Sequence, residues 1–200
     1  MQIVLATGNR KKLAEMQRLM AEGGHTLLSA ADAGITLEDE EDGASFGDNA
    51  LIKAREACRK TGLAALCDDS GLCVDILGGA PGVLSARFAG GHGDDAANNE
   101  KLLHLLSGVP DEKRSRQFVC ALALVLPDGS GMQVEGKCPG VVGRVPAGSG
   151  GFGYDPLFYV NGRSFAQMSE DEKDTMSHRA VAVKRLLQEL PGFLAQKGIE

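Results

Sequence analysis

The stretch from Ala64 to Gly82 constrains the fold more than any other part of this sequence. It opens with an apolar run, 64–67, which has the length of a buried strand, and continues with Asp68, Asp69 and Ser70. Ligands of open α/β sheets bind where strands end, so carboxylates there predict a ligand site. Because side chains alternate across a strand, we expect the two aspartates to face opposite ways, one toward a cleft and one bracing the backbone. The competing interpretation is a plain turn, which Asp-Ser-Gly favours.

The apolar periodicity predicts an α/β fold with a mixed sheet and flanking helices. The predicted strands are 2–6, 26–29, a strand that begins at 64, 118–126, 132–138 and 157–160. The first predicted helix begins at 10 and ends at the glycines 23–24, and the others cover 49–60, 94–107 and 178–190. The turn at 127–131 predicts an antiparallel hairpin between its two flanking strands. The 200 residues fit one α/β domain or two closely joined lobes, and we expect a single domain over 1–200.

Charge and cysteine usage exclude several classes of protein. A net charge of −6 argues against nucleic acid and membrane surfaces as partners, and an anionic ligand would need locally placed cations. No apolar run approaches the roughly 18 residues of a membrane span, and the N-terminus lacks the pattern of a signal peptide, so we expect a cytoplasmic protein. The five cysteines include no C-x-x-C pair, so they are expected to be small core residues in a reducing compartment.

A candidate phosphate loop lies where the first strand meets the first helix. Its residues are Thr7, Gly8, Asn9, Arg10, Lys11 and Lys12. A helix N-terminus offers backbone N–H groups and a positive dipole end, both of which suit phosphate. Gly8 would let the ligand approach the backbone, and Lys12 would add a charge. The alternative is a capped helix start with solvated lysines.

The glycine-rich segment 148–153 matches G-x-G-x-x-G in letters only. That fingerprint must open a helix, whereas here Tyr154, Asp155 and Pro156 follow and lead into a short strand. We therefore reject a dinucleotide site. Phe152, Tyr154 and Asp155 could instead stack on a base and hydrogen-bond its edge; the alternative is a flexible loop with a buried aromatic residue.

Two further segments carry charge. Lys173, His178 and Arg179 lie around the start of the last helix, where positive charges oppose the helix dipole. Cations in such a position indicate binding of an anion or of a base edge. The alternative is that they form salt bridges with the acids at 170–174. The acidic run 38–42 is either a solvated loop or, together with Asp69, a source of Mg²⁺ ligands; Lys53 is a further candidate phosphate cation.

Five stretches together resemble one family. They are TGNRKKLAE (7–15), EDGASFGDNALIKAR (41–55), CDDSGLCVDILGGAPGVLSAR (67–87), GGFGYDPLF (150–158) and SHRA (177–180). In this order and spacing, the chain resembles the inosine triphosphate pyrophosphatases. It departs from the usual pattern at Asp48, Cys67 and Ala180, where glutamate, alanine and glycine are more common.

The resemblance implies an elongated α/β fold of two lobes with the site in a central cleft, assembled as a homodimer. It implies Mg²⁺-dependent cleavage of ITP, dITP or XTP between the α- and β-phosphates, which removes deaminated purines from the nucleotide pool. Two alternatives stay open: a pyrophosphatase for another modified nucleotide, and a nucleotide-binding module without catalysis.

The resemblance also implies roles for individual residues. Asp69 is expected to be the general base and a Mg²⁺ ligand, with Glu41, or failing that Glu40, as the second metal ligand and Asp68 in support. Phe152 is expected to stack on the purine, while Asp155, His178 and Arg179 read its edge. The other expected substrate-binding residues are Thr7 to Lys12, Lys53, Ser70, Gly153, Tyr154 and Lys173.

Overall fold

The computed structural model describes residues 1–37 and 43–199, over which strands alternate with helices. The strands are β1 (Gln2–Leu5), β2 (Thr26–Ser29), β3 (Ala64–Val74), β4 (Ser115–Val125), β5 (Gly131–Val142), β6 (Phe158–Val160) and β7 (Arg163–Ser164). The helices are α1 (Arg10–Leu19), α2 (Phe46–Thr61), α3 (Asp95–Leu105), α4 (Glu170–Met176) and α5 (His178–Gln196).

The seven strands form one mixed sheet in the order β2-β1-β3-β4-β5-β6-β7. β1 pairs in parallel with both β2 and β3, whereas β6 pairs antiparallel with β5 and with β7. The turn at 126–130 joins the neighbouring strands β4 and β5, where the Leu126 N–H donates to the Ser130 carbonyl at 2.8 Å. The predicted α/β class with a mixed sheet is therefore confirmed.

The largest correction concerns β3. The sequence suggested that this strand ends at Cys67, before a turn or a strand-end site. In the structure β3 is eleven residues long and ends at Val74. Asp68 and Asp69 thus lie inside the strand, each only 7% exposed. The turn propensity of Asp-Ser-Gly is overridden because Leu72 and Val74, beyond it, are buried in a core cluster.

Helix boundaries differ where a cap or packing decides them. α2 begins at Phe46, three residues before the predicted start, because the Ser45 hydroxyl accepts a hydrogen bond from the Asp48 N–H. α5 continues past Pro191 to Gln196, and Leu194 in this extension is buried in the core. The segment 148–153 leads into a short 3₁₀ turn at Asp155–Leu157, which agrees with the rejection of a dinucleotide fingerprint.

The first of two packing units comprises the described residues within 1–69, 120–136 and 179–200. Its sheet residues alternate between two apolar clusters. One cluster includes Leu66 and Cys120 with residues of α1 and α5. The other includes Ala65 and Cys67 with the small-residue face of α2. Alternation along β3 therefore places Asp68 on the face of α1 and α5, and Asp69 on the face of α2.

The second unit comprises 70–119 and 137–178. Its core combines apolar residues of β3, β4, β5 and β6 with leucines of α3 and with the aromatic side chains of Phe118, Tyr154, Phe158 and Phe165. The five cysteines are free thiols, four of them buried, as expected for core residues.

None of the helices in residues 1–37 and 43–199 has the length and apolar character that crossing a membrane requires.

Candidate functional site

Asp68 is held by three side chains of the first unit. Lys12 Nζ lies 2.8 Å from Asp68 Oδ1, Arg179 Nε lies 2.7 Å from Oδ2, and the Cys120 thiol donates to Oδ2 at 3.0 Å. Burial alone would raise the pKa of Asp68, but the Arg179 and Lys12 charges outweigh it and hold that pKa well below its usual range. Asp68 is therefore an ionised carboxylate whose oxygens are already engaged.

Arg179 connects Asp68 to a second carboxylate. Its Nη1 donates to Glu15 Oε2 at 2.8 Å, and its Nη2 lies 3.3 Å from Asp68 Oδ1. The side chain is 1% exposed, and although burial opposes its charge, Asp68 and Glu15 raise the pKa of the guanidinium. The structure thus gives Arg179 a role that the sequence did not suggest, namely fixing Asp68; the predicted contact with a base edge stays a prediction.

Asp69 faces α2, where Asn49 holds it. The Asn49 amide donates from Nδ2 to Asp69 Oδ2 at 3.0 Å, and its Oδ1 accepts from the Gly43 N–H at 2.8 Å. Asn49 is completely buried. Its amide therefore orients Asp69 and also fixes the backbone that follows residues 38–42. The opposite orientation of the two aspartates, expected from strand alternation, is confirmed.

The Thr7–Lys12 segment forms the capped start of α1. Asn9 Oδ1 accepts from the N–H groups of Lys11 and Lys12, at 2.9 and 3.1 Å, and Thr7 Oγ1 accepts from the Asn9 N–H. A Cβ built on Gly8 would have open space around it, so packing does not demand glycine there. The helix start is capped by Asn9, as the alternative interpretation expected, but Lys12 is bonded to Asp68 rather than solvated, and phosphate binding by this segment stays a prediction.

Lys53 follows Asn49 by one turn on α2, and it is half-buried. Residues four apart lie on the same side of a helix, so Lys53 and Asn49 share a face. The predicted metal ligand Glu41, its substitute Glu40 and the rest of the run 38–42 lie outside the described residues. Within 1–37 and 43–199, no group of three or more His, Cys, Asp or Glu side chains is arranged to hold a metal ion.

A second cluster, in the second unit, surrounds Asp155. Its Oδ2 accepts from the Phe152 N–H and lies 3.2 Å from Lys173 Nζ. Asp155 and Lys173 are both buried, at 7% and 8% exposed. Gly151 makes this arrangement possible, because a Cβ there would lie within 1.9 Å of Asp155 Oδ2. Hydrogen bonds thus hold this loop in place, which neither interpretation of the sequence included, and base stacking by Phe152 stays a prediction.

Gly153 and Tyr154 serve mainly to anchor that loop. The Gly153 N–H donates to Asp95 Oδ2 at 2.7 Å, and its carbonyl accepts from Asn99 Nδ2 at 2.8 Å. The Tyr154 ring lies in the core, and its hydroxyl donates to the Ser85 carbonyl at 3.0 Å. Tyr154 therefore supports the loop from within.

His178 and Ser70 complete the predicted set. The His178 ring stacks on Phe118 with a centroid distance of 4.6 Å, and His178 is 8% exposed. Ser70 follows Asp69 in β3 and is half-buried. The structure thus gathers Lys12, Asp68, Asp69 and Arg179 within the first unit and Phe152, Asp155 and Lys173 within the second.

Sequence reasoning missed four polar residues of these clusters. They are Glu15, Asn49, Arg116 and Cys120, all buried. The available signal was their position: Glu15 and Asn49 lie beside apolar helix positions, and Arg116 and Cys120 alternate with residues of an apolar strand. A polar side chain on a core-facing position needs a partner, and in three of the four the structure supplies one.

The chain is similar to several known proteins along almost its whole length. The dITP/XTP pyrophosphatase of Mycobacteroides abscessus is 52% identical over 192 residues, covering 94% of this chain and 93% of that protein. The dITP/XTP pyrophosphatase of Nocardia farcinica is 49% identical over 193 residues, covering 94% of each. The solved structure of a HAM1 protein from Coxiella burnetii superposes with a TM-score of 0.86 at 40% identity, covering 96% of this chain and 99% of that one.

A model of the Ham1 family matches residues 3–189 of this sequence. The match includes both aspartates of β3, the cap of α1 and the Asp155 loop. Together with identities of 52% and 49% over 94% of the chain, this match confirms the resemblance inferred from the five sequence stretches. The chain belongs to the Ham1 family.

Proposed function

We propose that this protein hydrolyses non-standard purine nucleoside triphosphates, dITP, ITP and XTP, to the nucleoside monophosphate and pyrophosphate. The observation that carries the proposal is the aspartate pair of β3. Asp68 is neutralised by Lys12 and Arg179, whereas Asp69, on the other face, is oriented by the amide of Asn49. The names of the relatives supply the substrate class.

Asp69 acts as the general base in this proposal. A carboxylate within reach of a water molecule accepts its proton while the water oxygen attacks phosphorus, and the bond to the bridging oxygen breaks. Water and the triphosphate are consumed, and the monophosphate and pyrophosphate are formed. Asn49 holds the carboxylate in one orientation, which limits the loss of rotational freedom during the reaction.

Cations hold the triphosphate and offset the charge that develops on the leaving pyrophosphate. These are Lys12 and Lys53, together with the N-terminus of α1. The resemblance also implies that Lys173 binds substrate. Lys12 is bonded to Asp68, which raises its pKa despite the opposing effect of burial, so it is a permanent cation.

The donor set fits Mg²⁺, which is held by one or two carboxylates together with substrate phosphates. Asp69 supplies a hard oxygen ligand, whereas the oxygens of Asp68 are engaged by cations. We propose Asp69 and Glu41 as the protein ligands. When bound, the ion would neutralise phosphate charge and lower the pKa of a coordinated water.

Base recognition belongs to the second cluster. Phe152 stacks on the purine, while Asp155 and His178 meet its hydrogen-bonding edge. Hypoxanthine and xanthine have an acceptor at position 6 and a donor at position 1, and adenine reverses both. A site built for the first pattern leaves buried groups unpaired with adenine, which discriminates by ~10⁴ or more.

The test measures pyrophosphate and inorganic phosphate released from dITP, XTP, ITP, ATP and GTP, each with Mg²⁺ and with EDTA. We expect pyrophosphate from the first three, little from ATP, and none with EDTA. Inorganic phosphate as the first product would instead mean attack at the γ-phosphate. Asp69→Asn should abolish turnover while IMP binding, measured by calorimetry, is retained; turnover like that of the wild type would remove Asp69 from its role.

The proposal includes a cytoplasmic homodimer that requires neither nucleic acid nor membrane, as expected from the resemblance and the net charge of −6. The molar mass in solution tests the dimer: a single chain of 20.9 kDa at micromolar concentration would contradict it.

A further inference from the structure

Two arginines near the start of β4 are buried, but within residues 1–37 and 43–199 only the first of them has hydrogen-bond partners. Arg114, which directly precedes the strand, is 2% exposed, and Arg116, the second residue of the strand, is 3% exposed. Arg114 donates to the carbonyl groups of Leu106, Val142 and Gly143 at 2.6 to 2.9 Å. Arg114 thus ties backbone segments together, and its presence in the interior is explained.

Arg116 lacks such an explanation. Its Nε, Nη1 and Nη2 atoms are buried and have no hydrogen-bond partner in the described parts of the chain, 1–37 and 43–199. Burial lowers the pKa of its guanidinium to about 8. A buried guanidinium with unmade hydrogen bonds is strongly unfavourable, so Arg116 needs a partner that the described residues do not supply.

The surroundings of Arg116 belong to the proposed base site. Its Cζ lies 3.9 Å from the centroid of the Phe158 ring. Phe158 stacks on Phe118 at 4.2 Å, and Phe118 stacks on His178 at 4.6 Å. Asp155 is close enough for its charge to act on Arg116. Arg116 therefore adjoins the stack of aromatic rings that includes His178, and it lies within electrostatic range of Asp155. Both of these residues are proposed to read the base.

The chemistry of the guanidinium selects the ligand. It offers five donors in a planar fork and no acceptor. An oxopurine presents two adjacent acceptors, O6 and N7, which arginine binds in a bidentate manner, whereas adenine replaces O6 with an amino donor. A water molecule would satisfy only part of the fork.

We propose that Arg116 is a specificity-determining residue that binds the O6/N7 edge of an oxopurine. This inference rests on the proposed function. Because the guanidinium is covered in the structure, the covering side chains must move when the base binds. Arg116 then selects oxopurines over aminopurines, in addition to the contacts of Asp155 and His178.

The test compares Arg116→Met with Arg114→Lys. Methionine preserves apolar contact with Phe158 and removes every donor, whereas the lysine variant perturbs a neighbouring guanidinium bonded only to carbonyl groups. Calorimetry gives the dissociation constants of IMP and AMP, which require no turnover. We expect Arg116→Met to weaken IMP binding about 10- to 100-fold without changing AMP binding. Arg114→Lys should lower the melting temperature but keep the IMP-to-AMP ratio of the wild type.

Equal effects of Arg116→Met on IMP and AMP, or no effect on either, would overturn the role of Arg116. If Arg116→Met does not fold, Arg116→Lys keeps the charge but loses the fork, and an unchanged IMP-to-AMP ratio in that variant would overturn the inference as well. Failure of the proposed function is recognised separately, because wild-type protein would then bind IMP no better than AMP and release no pyrophosphate from dITP, ITP or XTP.

Discussion

Asp68 and Asp69 are adjacent residues of the same type, but their different environments suit them to different roles. Asp68 meets two cations and a thiol on the face of α1 and α5, while Asp69 meets a neutral amide on the face of α2. A carboxylate paired with two cations is a poor proton acceptor, so Asp68 is unsuited to act as the base. We therefore propose Asp69 for that role, as the family resemblance implies.

The first prediction concerns Asn49 as a positioning residue for Asp69. Asn49→Ala removes the amide that donates to Asp69 Oδ2 at 3.0 Å and accepts from the Gly43 N–H. Hydrogen bonds to charged groups contribute about 1.5–3 kcal/mol, so we expect kcat for dITP to fall about 10- to 100-fold. KM should change little, because Asn49 is completely buried and acts through Asp69. Steady-state kinetics separate the two parameters.

Asn98 provides the matched control. It is also a buried asparagine, but its amide bridges two backbone groups, the Ala89 N–H and the Ala86 carbonyl. Asn98→Ala should therefore lower the melting temperature without the selective loss of kcat. Equal losses of kcat in both variants would show that Asn49 acts through stability alone.

The sequence indicated candidate residues for the chemistry but not how their side chains are connected in the fold. Strand alternation was sufficient to place Asp68 and Asp69 on opposite faces. The Glu15–Arg179 pair, in contrast, joins positions 164 residues apart, and the Asn49–Asp69 bond joins positions 20 apart. No local pattern encodes such pairs, because tertiary packing alone brings them together.

Among the elements, β3 and the Asp155 loop show where local propensity fails and where it succeeds. β3 passes through Asp-Ser-Gly without turning, because the residues on either side of this tripeptide are buried. The loop at 148–155 turns as its glycines suggest, and Gly148, Gly151 and Gly153 have positive φ angles of 81°, 70° and 61°. The strand and the loop differ in the burial of their flanking residues, which cannot be read from the sequence.

The second prediction concerns Gly151. Gly151→Ala would place a Cβ within 1.9 Å of Asp155 Oδ2, so this carboxylate must leave the Phe152 N–H and Lys173. We expect kcat/KM for dITP to fall about tenfold or more, with a weaker preference over dATP, since a charged hydrogen-bond group is displaced. Gly129→Ala is the control, because Gly129 has a φ angle of 82° and open space for a Cβ in the β4–β5 turn. A similar loss of preference in both variants would attribute the effect to backbone strain.

For the whole molecule, the path of the chain is the main finding. The chain passes from one packing unit to the other within β3, within β4, within β5 and at the start of α5. Neither unit is therefore one continuous segment. Contacts distant in sequence define this division, so no linker or composition shift marks it, and the sequence could predict only one domain of two lobes.

The third prediction follows from that path. Because three strands contribute residues to both units, we expect one cooperative unfolding transition of the whole chain. For 200 residues the calorimetric enthalpy should be about 140 kcal/mol near 60 °C, and the van't Hoff enthalpy should equal it. Units that unfold independently would instead give a calorimetric enthalpy about twice the van't Hoff value.

Two variants, each with one substitution in one of the two cores, also test whether the chain unfolds as a single cooperative unit. Leu186 is buried in the core of the first unit and Leu102 in that of the second. Each Leu→Ala change should destabilise the protein by about 2–5 kcal/mol and lower the melting temperature by about 4–20 °C. In a cooperative chain, Leu186→Ala and Leu102→Ala each shift the one transition as a whole. If each variant instead moved only part of a broadened transition, the two cores would be independent, and the chain would contain two domains where we predict one.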